Sequence, residues 1–196
     1  MIARIVLVAG LSAAMAVPSF AQAGAAQGTM DPSAPKPGPV AGADAPDFTA
    51  PGANKDGTLK APVHLADLKG KTVILAFFPK ARTSGCTQQM TQYREQYATL
   101  FDGGKNIVLL GISTDADTTL ANWAKEANFP FQFVSDSSGN IGRAYGTIVG
   151  ATKGEQRYVY VIGPDGKIAY TKKPFSPFTM PQYDTLSIEI HKTLKK

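Results

Sequence analysis

The sequence predicts an α/β fold with a mixed central sheet flanked by helices. Three observations carry that expectation. Two apolar runs of strand length, Thr72–Phe78 (TVILAFF) and Asn106–Ser113 (NIVLLGIS), suit strands buried on both faces. Stretches with helical periodicity follow each run. Near the end, Arg157–Ile162 and Lys167–Tyr170 flank Gly163-Pro164-Asp165-Gly166, a hairpin signature. Strand, helix, strand, helix, strand, hairpin, helix describes a layered sandwich whose first crossover is right-handed, with parallel strands.

Taken in order, the chain opens with a short positive start, Met1–Arg4, and an apolar run, Ile5–Val17, that Pro18 interrupts. Ser19-Phe20-Ala21 and Ala21-Gln22-Ala23 both fit the small-x-small cleavage pattern of a secretory signal, so residues 1–23 are expected to be removed near Ala21 or Ala23. The run stops short of the roughly 18 apolar residues of a spanning helix, and no cysteine near the cleavage point offers a lipid anchor. Export to a bacterial periplasm, without membrane insertion, is the expectation.

Residues 24–45 are mostly Ala, Gly and Pro, with Pro32, Pro35, Pro37 and Pro39 crowding the middle. No helical or strand period runs through them, so they read as a flexible or extended tether. The folded domain is then expected over 46–196. Its first strand is the run at Thr72. Cys86, Met90, Tyr93, Tyr97 and Leu100 recur at helical spacing, and Gly103-Gly104 ends that helix. A second helix is marked by Leu120, Trp123, Ala124 and Ala127, and a third strand by Phe129–Val134. Tyr183, Leu186, Ile190 and Leu194 form the stripe of a closing helix. This order is that of a thioredoxin-like core, one of several three-layer α/β folds the spacing allows.

Composition sets limits on function. Of 196 residues, 43% are hydrophobic and 18% charged, as in one globular domain. The formal charge is +5, and removing residues 1–23 takes away Arg4 and no acid, leaving +4. Basic residues are scattered, without an aromatic-interleaved stripe, so a nucleic-acid partner is not expected. The tail Lys192, Lys195 and Lys196 suits the negative end of a helix.

Cys86 is the only cysteine, so no internal disulfide exists even in an oxidising compartment. Such a residue is either inert and buried or a reactive thiol. Its neighbours favour reactivity. Cys86 follows a buried strand and the turn Pro79-Lys80-Ala81-Arg82-Thr83-Ser84-Gly85, and it opens the first long helix. Free amides and the positive end of a helix N-terminus stabilise a thiolate. Thr83 or Ser84 is expected to cap the helix or donate a hydroxyl, and Gly85 lets backbone approach closely. The inner-stripe spacing also fits a plain buried filler, but a filler needs no such turn ahead of it.

The segment FFPKARTSGCT (77–87) resembles the active-site segment of peroxiredoxins, with Pro79, Thr83 and Cys86 in the pattern Pro-x-x-x-Thr-x-x-Cys. APDFTAP (45–51), LLGISTD (109–115), VSDSSGNIGRAYG (134–146) and RYVYVIGPDGKI (157–168) are similar to the bacterioferritin comigratory protein, or peroxiredoxin Q, branch, in its order. The resemblance covers about residue 45 to the C-terminus. It implies that Cys86 is the peroxidatic cysteine, which attacks a peroxide as thiolate and becomes sulfenic acid. It implies further that Thr83 aligns the peroxide, Pro79 shields the pocket, and Arg157 pairs with the thiolate. Gly85, Cys86 and Thr83 would line the substrate site. Donors already in place lower the barrier to O–O cleavage, which builds charge on the leaving oxygen.

Two positions depart from that branch. Ser84 stands where it usually has proline. Thr91 stands where a resolving cysteine is often found, five residues after the first. The implied cycle is therefore a one-cysteine cycle, with an outside thiol, protein or small, as reductant and no metal or prosthetic group as cofactor. A monomer or weak dimer is expected. His64 and His191 are far apart and lack partners at metal-ligand spacing, and His64 as a base for Cys86 is not needed. Arg82 borders the pocket or is simply solvated; Trp123, Tyr93 and Tyr97 read as core; Asp136, Ser137 and Ser138 read as turn and cap residues. No C-x-x-C pair is present. The rival reading is a redox-sensing binding or chaperone module that uses Cys86 without turnover.

Overall fold

The computed structural model describes residues 37–194. The expected signal segment and most of the tether lie outside the described residues, as do Lys195 and Lys196. Four short strands come first: β1 (Thr49–Ala50), β2 (Gly52–Asn54), β3 (Gly57–Thr58) and β4 (Val63–His64). The main elements follow as β5 (Thr72–Phe77), α1 (Ser84–Glu95), α2 (Tyr97–Leu100), β6 (Ile107–Ser113), α3 (Asp117–Glu126) and β7 (Gln132–Ser135). Last are α4 (Asn140–Tyr145), β8 (Val159–Ile162), β9 (Ile168–Lys172) and α5 (Met180–Thr193). Seven strands make one mixed sheet in the order β3-β2-β7-β6-β5-β8-β9. The pairs β5–β6 and β6–β7 are parallel, while β8 runs antiparallel to β5 and β9 to β8. The mixed sheet and the parallel pairing across the first crossover are as the sequence predicts.

The apolar run at β5 builds two cores because a strand's side chains alternate between its faces. Ile74, Ala76 and Phe78 point to one side, with Met90 and Tyr93 of α1, Trp123 of α3 and Tyr183 and Leu186 of α5. Val73, Leu75 and Phe77 point to the other, with Ile112, Tyr160 and the α4 residues Ile141 and Tyr145. All six of these strand residues are essentially buried. Each such large side chain contributes roughly 1.5–3 kcal/mol over leaving it in water, which holds β5 at the middle of the sheet.

Four features differ from expectation. The first helix breaks at Gln96 and resumes as α2, so the glycine pair ends a short 3₁₀ turn and not the helix itself. The third strand begins at Gln132, because Phe129 and Phe131 turn into an aromatic cluster with Trp123 and Phe133. α4 has no counterpart among the expected elements, which include only the turn and cap residues Asp136, Ser137 and Ser138 ahead of it. Finally, Pro39–Ala45, assigned to the tether by composition, is fastened to the body. Gly42 N–H donates to Ile168 O (2.8 Å), Ile168 N–H to Ala43 O (2.9 Å) and Ala45 N–H to Gly166 O (3.0 Å), so packing starts ahead of Pro46. Backbone hydrogen bonds of this kind do not depend on side chains, which is why composition does not reveal them.

Candidate active site

Cys86 is the third residue of α1 and is wholly buried. It sits where the first amides of a helix have no intrahelical partner and the dipole is positive. The turn that delivers it is held at several points. The Asp115 carboxylate accepts from Ala81 N–H (2.7 Å) and from the Ser113 hydroxyl (3.0 Å), tying the turn to the end of β6. Arg82 adopts a left-handed φ of 64°, and its guanidinium makes a two-point contact with Glu126 of α3 at 3.1 and 2.7 Å. Arg82 thus braces the turn from the surface.

Arg157 reaches the thiol from just before β8. Its Nη2 donates to Cys86 Sγ at 3.3 Å, and its Nη1 donates to Gln89 Oε1 at 2.6 Å. Gln89, one helical turn beyond the cysteine and fully buried, donates in turn to the Tyr93 hydroxyl at 3.1 Å. Burial holds the Tyr93 phenol far above its ordinary value, so it stays neutral in this network. Gly85 makes room for the arrangement: a Cβ there would lie 3.2 Å from Arg157 Nη2 and 3.7 Å from Pro177 Cγ. The guanidinium is therefore fixed by Gln89, by the helix backbone and by the sulfur it faces.

The expected hydroxyl cap does not form. Thr83 occupies the N-cap position, but its Oγ1 donates to Lys80 O at 2.9 Å, back into the turn. With the hydroxyl turned that way, its oxygen accepts from no helix N–H, and accepting one is what a cap requires. Pro79 is exposed at the head of the same turn. Gly85, Cys86 and Arg157 thus meet at the start of α1, with Thr83 beside them at the N-cap. His64 does not join them: its ring is bonded to Asp47 (2.9 Å) and Asp67 (3.2 Å), and Asp47 draws its pKa upward. Asp136 caps α4 as expected, accepting from Ile141 N–H (3.2 Å) and Gly142 N–H (2.7 Å). Gln89 and Asp115 were not singled out from the sequence. The three- and four-residue steps from Cys86 through Gln89 to Tyr93 are a usable signal, since Gln89 is a polar residue among inner-face positions.

The site thus pairs a cysteine at a helix N-terminus with a half-buried arginine. Residues 41–171 match the model of the AhpC/TSA family. The chain belongs to that family. A peroxiredoxin Bcp from Escherichia coli is 33% identical over 141 residues, spanning 69% of this chain and 86% of that protein. A putative peroxiredoxin bcp from Coxiella burnetii is 34% identical over 134 residues, spanning 65% and 84%. Chloroplastic peroxiredoxin Q of Sedum lineare is 33% identical over 101 residues, spanning 50% and 53%. Among solved structures, peroxidoxin BcpB of Mycobacterium tuberculosis has a TM-score of 0.66 at 25% identity, spanning 78% of this chain and 96% of that one. The AhpC structure from Enterococcus faecalis, at 19% identity and a TM-score of 0.67, shares the fold, with 78% and 90% spanned. This peroxiredoxin falls in the bacterioferritin comigratory, or peroxiredoxin Q, branch, and its fold is thioredoxin-like. It is a thiol-dependent peroxidase of the oxidoreductase class.

Proposed function

We propose that the enzyme reduces hydrogen peroxide and small organic hydroperoxides through Cys86 alone, in a one-cysteine cycle completed by an outside thiol. The observation that carries this reading is the Arg157 guanidinium 3.3 Å from Sγ at the start of α1. The thiolate attacks one peroxide oxygen, the O–O bond breaks, and the second oxygen leaves as water or alcohol after taking a proton. Cys86 is then a sulfenic acid. A reductant thiol displaces water to form a mixed disulfide, and a second thiol releases the reduced protein, the two reductant thiols leaving as a disulfide after supplying the two electrons. A thioredoxin-like protein or a small thiol serves. The cycle needs no metal or prosthetic group.

Each neighbour has a role in this scheme. Arg157 favours the thiolate and stabilises charge developing on the leaving oxygen. Thr83, with its proton given to Lys80 O, offers lone pairs that accept the peroxide O–H and align it over the sulfur. Pro79 keeps bulk water from the turn, and Gly85 lets the peroxide approach the backbone amides. The leading segment, with its positive start, apolar run and small-residue cleavage pattern, supports export to the periplasm and cleavage near Ala21 or Ala23.

Two measurements test the scheme. With peroxide and excess dithiothreitol or thioredoxin, the mature protein should consume many peroxides per chain; a single equivalent consumed, with no more, would make it a sensor. Thr83→Val keeps the shape and loses the hydroxyl. It should slow oxidation of Cys86 on the order of 10²–10³-fold, the usual cost of one preorganised partner. An unchanged stopped-flow rate overturns the role given to Thr83.

A further inference from the structure

Glu155 is a charged residue type in a place that excludes water, only 2% exposed. Its carboxyl lies flat on α4: a Cβ on Gly142 would fall 2.5 and 2.7 Å from its two oxygens. Oε2 meets the Thr147 hydroxyl, and Oε1 is buried without a hydrogen-bond partner. Thr147 has one proton and a second acceptor in reach, Gly142 O at 3.2 Å. Gly142 O already accepts from Thr147 N–H (2.8 Å) and Ile148 N–H (3.2 Å) and does not need that proton, but a carboxylate at this point would leave a charged buried oxygen, Oε1, with no donor. A protonated carboxyl removes the charge from that oxygen and keeps a hydrogen bond between Oε2 and the Thr147 hydroxyl.

The pair closes a loop that borders the active site. Gln156 N–H donates to Thr147 O at 2.8 Å, and residues 150–153 between them are exposed. The Thr114 hydroxyl holds Lys153 O at 3.2 Å, and a Cβ on Gly154 would sit 3.7 Å from Pro79 O, so the loop runs along the turn that carries Cys86. Two residues after Glu155 comes Arg157, whose own carbonyl is held by Phe175 N–H at 2.7 Å. The backbone that aims the guanidinium is thus anchored on one side by Phe175 and on the other by the Glu155–Thr147 contact.

We propose that Glu155 is a positioning residue that, in its protonated form, latches residues 147–156 and keeps Arg157 against Cys86, and that losing the proton opens the latch. This rests on the reading of Arg157 given above. The groups facing Glu155 are Asp136 from the β7–α4 turn, Thr147 from the loop itself and Arg143 from α4. Asp136 is committed to the amides of Ile141 and Gly142 and repels a second negative charge; Arg143 is engaged with Ser138 O and Asn140. Burial, chiefly, and then Asp136 push the Glu155 carboxyl up to about 8, against the opposing pull of Thr147 and Arg143.

The sign follows from that direction. The native state keeps a proton that the unfolded chain releases above its ordinary carboxyl value of 4.5, so stability declines from there to about pH 8 and levels off beyond. Glu155→Gln copies the protonated shape and cannot ionise. The test is the stopped-flow rate of Cys86 with hydrogen peroxide from pH 6 to 10, for the parent and Glu155→Gln, with amide exchange of residues 147–158 followed in both. The parent should lose roughly tenfold in rate per pH unit above about 8, with exchange there rising beyond its intrinsic base catalysis. Glu155→Gln should hold its neutral-pH rate and exchange throughout and melt higher than the parent at pH 8. Identical profiles in the two proteins, or a parent rate flat across pH 8, overturn the latch. If Glu155→Gln does not fold, unchanged parent exchange across pH 8 alone overturns it. A parent that never reacts with peroxide defeats the reading of Arg157, and exchange then decides the latch by itself.

Discussion

Arg157→Gln should slow the reaction of Cys86 with hydrogen peroxide by about 10²–10³-fold, a loss of about 2.7–4 kcal/mol of transition-state stabilisation. The change keeps a polar side chain and removes the positive charge that lies 3.3 Å from the sulfur. Two effects then combine: the thiolate loses its cation, and the oxygen leaving the peroxide loses a fixed donor. Both act where water is excluded, because Cys86 is fully buried and Gln89 and Tyr93 close the site from behind. The fold should survive, since the Phe175 bond goes to the Arg157 backbone carbonyl and not to its side chain. Trp123, the only tryptophan, gives a fluorescence signal for stopped-flow measurement. A loss smaller than about threefold would show that the guanidinium is structural, because one catalytic donor is ordinarily worth far more.

Oxidant in excess should inactivate the enzyme completely. With Thr91 where a resolving cysteine is often found and no second cysteine in the chain, a sulfenic acid on Cys86 has no internal thiol to meet. One equivalent of peroxide should add one oxygen by intact mass, in a form that dimedone traps. Further peroxide, without reductant, should carry the sulfur to sulfinic acid, and added dithiothreitol should then restore nothing. A disulfide between two chains is the competing product. The thiol's position opposes it: Cys86 faces the core from the third residue of α1, so two copies meet only after that helix start unwinds. Non-reducing gels distinguish these outcomes. A fast, complete shift to a covalent dimer that still turns over would refute the one-cysteine cycle.

Much of this site is legible along the chain because it depends on local rules. A wholly apolar run can be paired only at the centre of a sheet, which places β5; a helix must begin after the turn at 79–85, which places Cys86 at its positive end. Arg157 was named through resemblance, and the structure brings it to the sulfur across 71 residues of sequence. The cap was misread. Thr83 has the residue type and position of an N-cap, yet its hydroxyl turns back to donate to Lys80 O and its oxygen accepts from no helix N–H. The tether is shorter than composition suggests, since Gly42 and Ala43 bond to Ile168 of β9 and Ala45 to Gly166 just before it, through backbone groups common to every residue.

The sequence by itself determined the fold class, the lone thiol, the absence of an internal resolving partner and the helix start that makes the thiol useful. Each follows from residue identity or from spacing of a few residues. Only the tertiary structure decided how the thiol's arginine is held, by Gln89 and Tyr93 on the same helix, and how the turn is braced, by Asp115 and Glu126 from other elements. It alone decided that Glu155, an ordinary acidic residue in the sequence, is buried beside Asp136. Such pairings depend on which side chains the sheet brings together at a distance in sequence. Their energies come from burial and from the count of protons and lone pairs within a closed site, and neither quantity exists until the chain has folded.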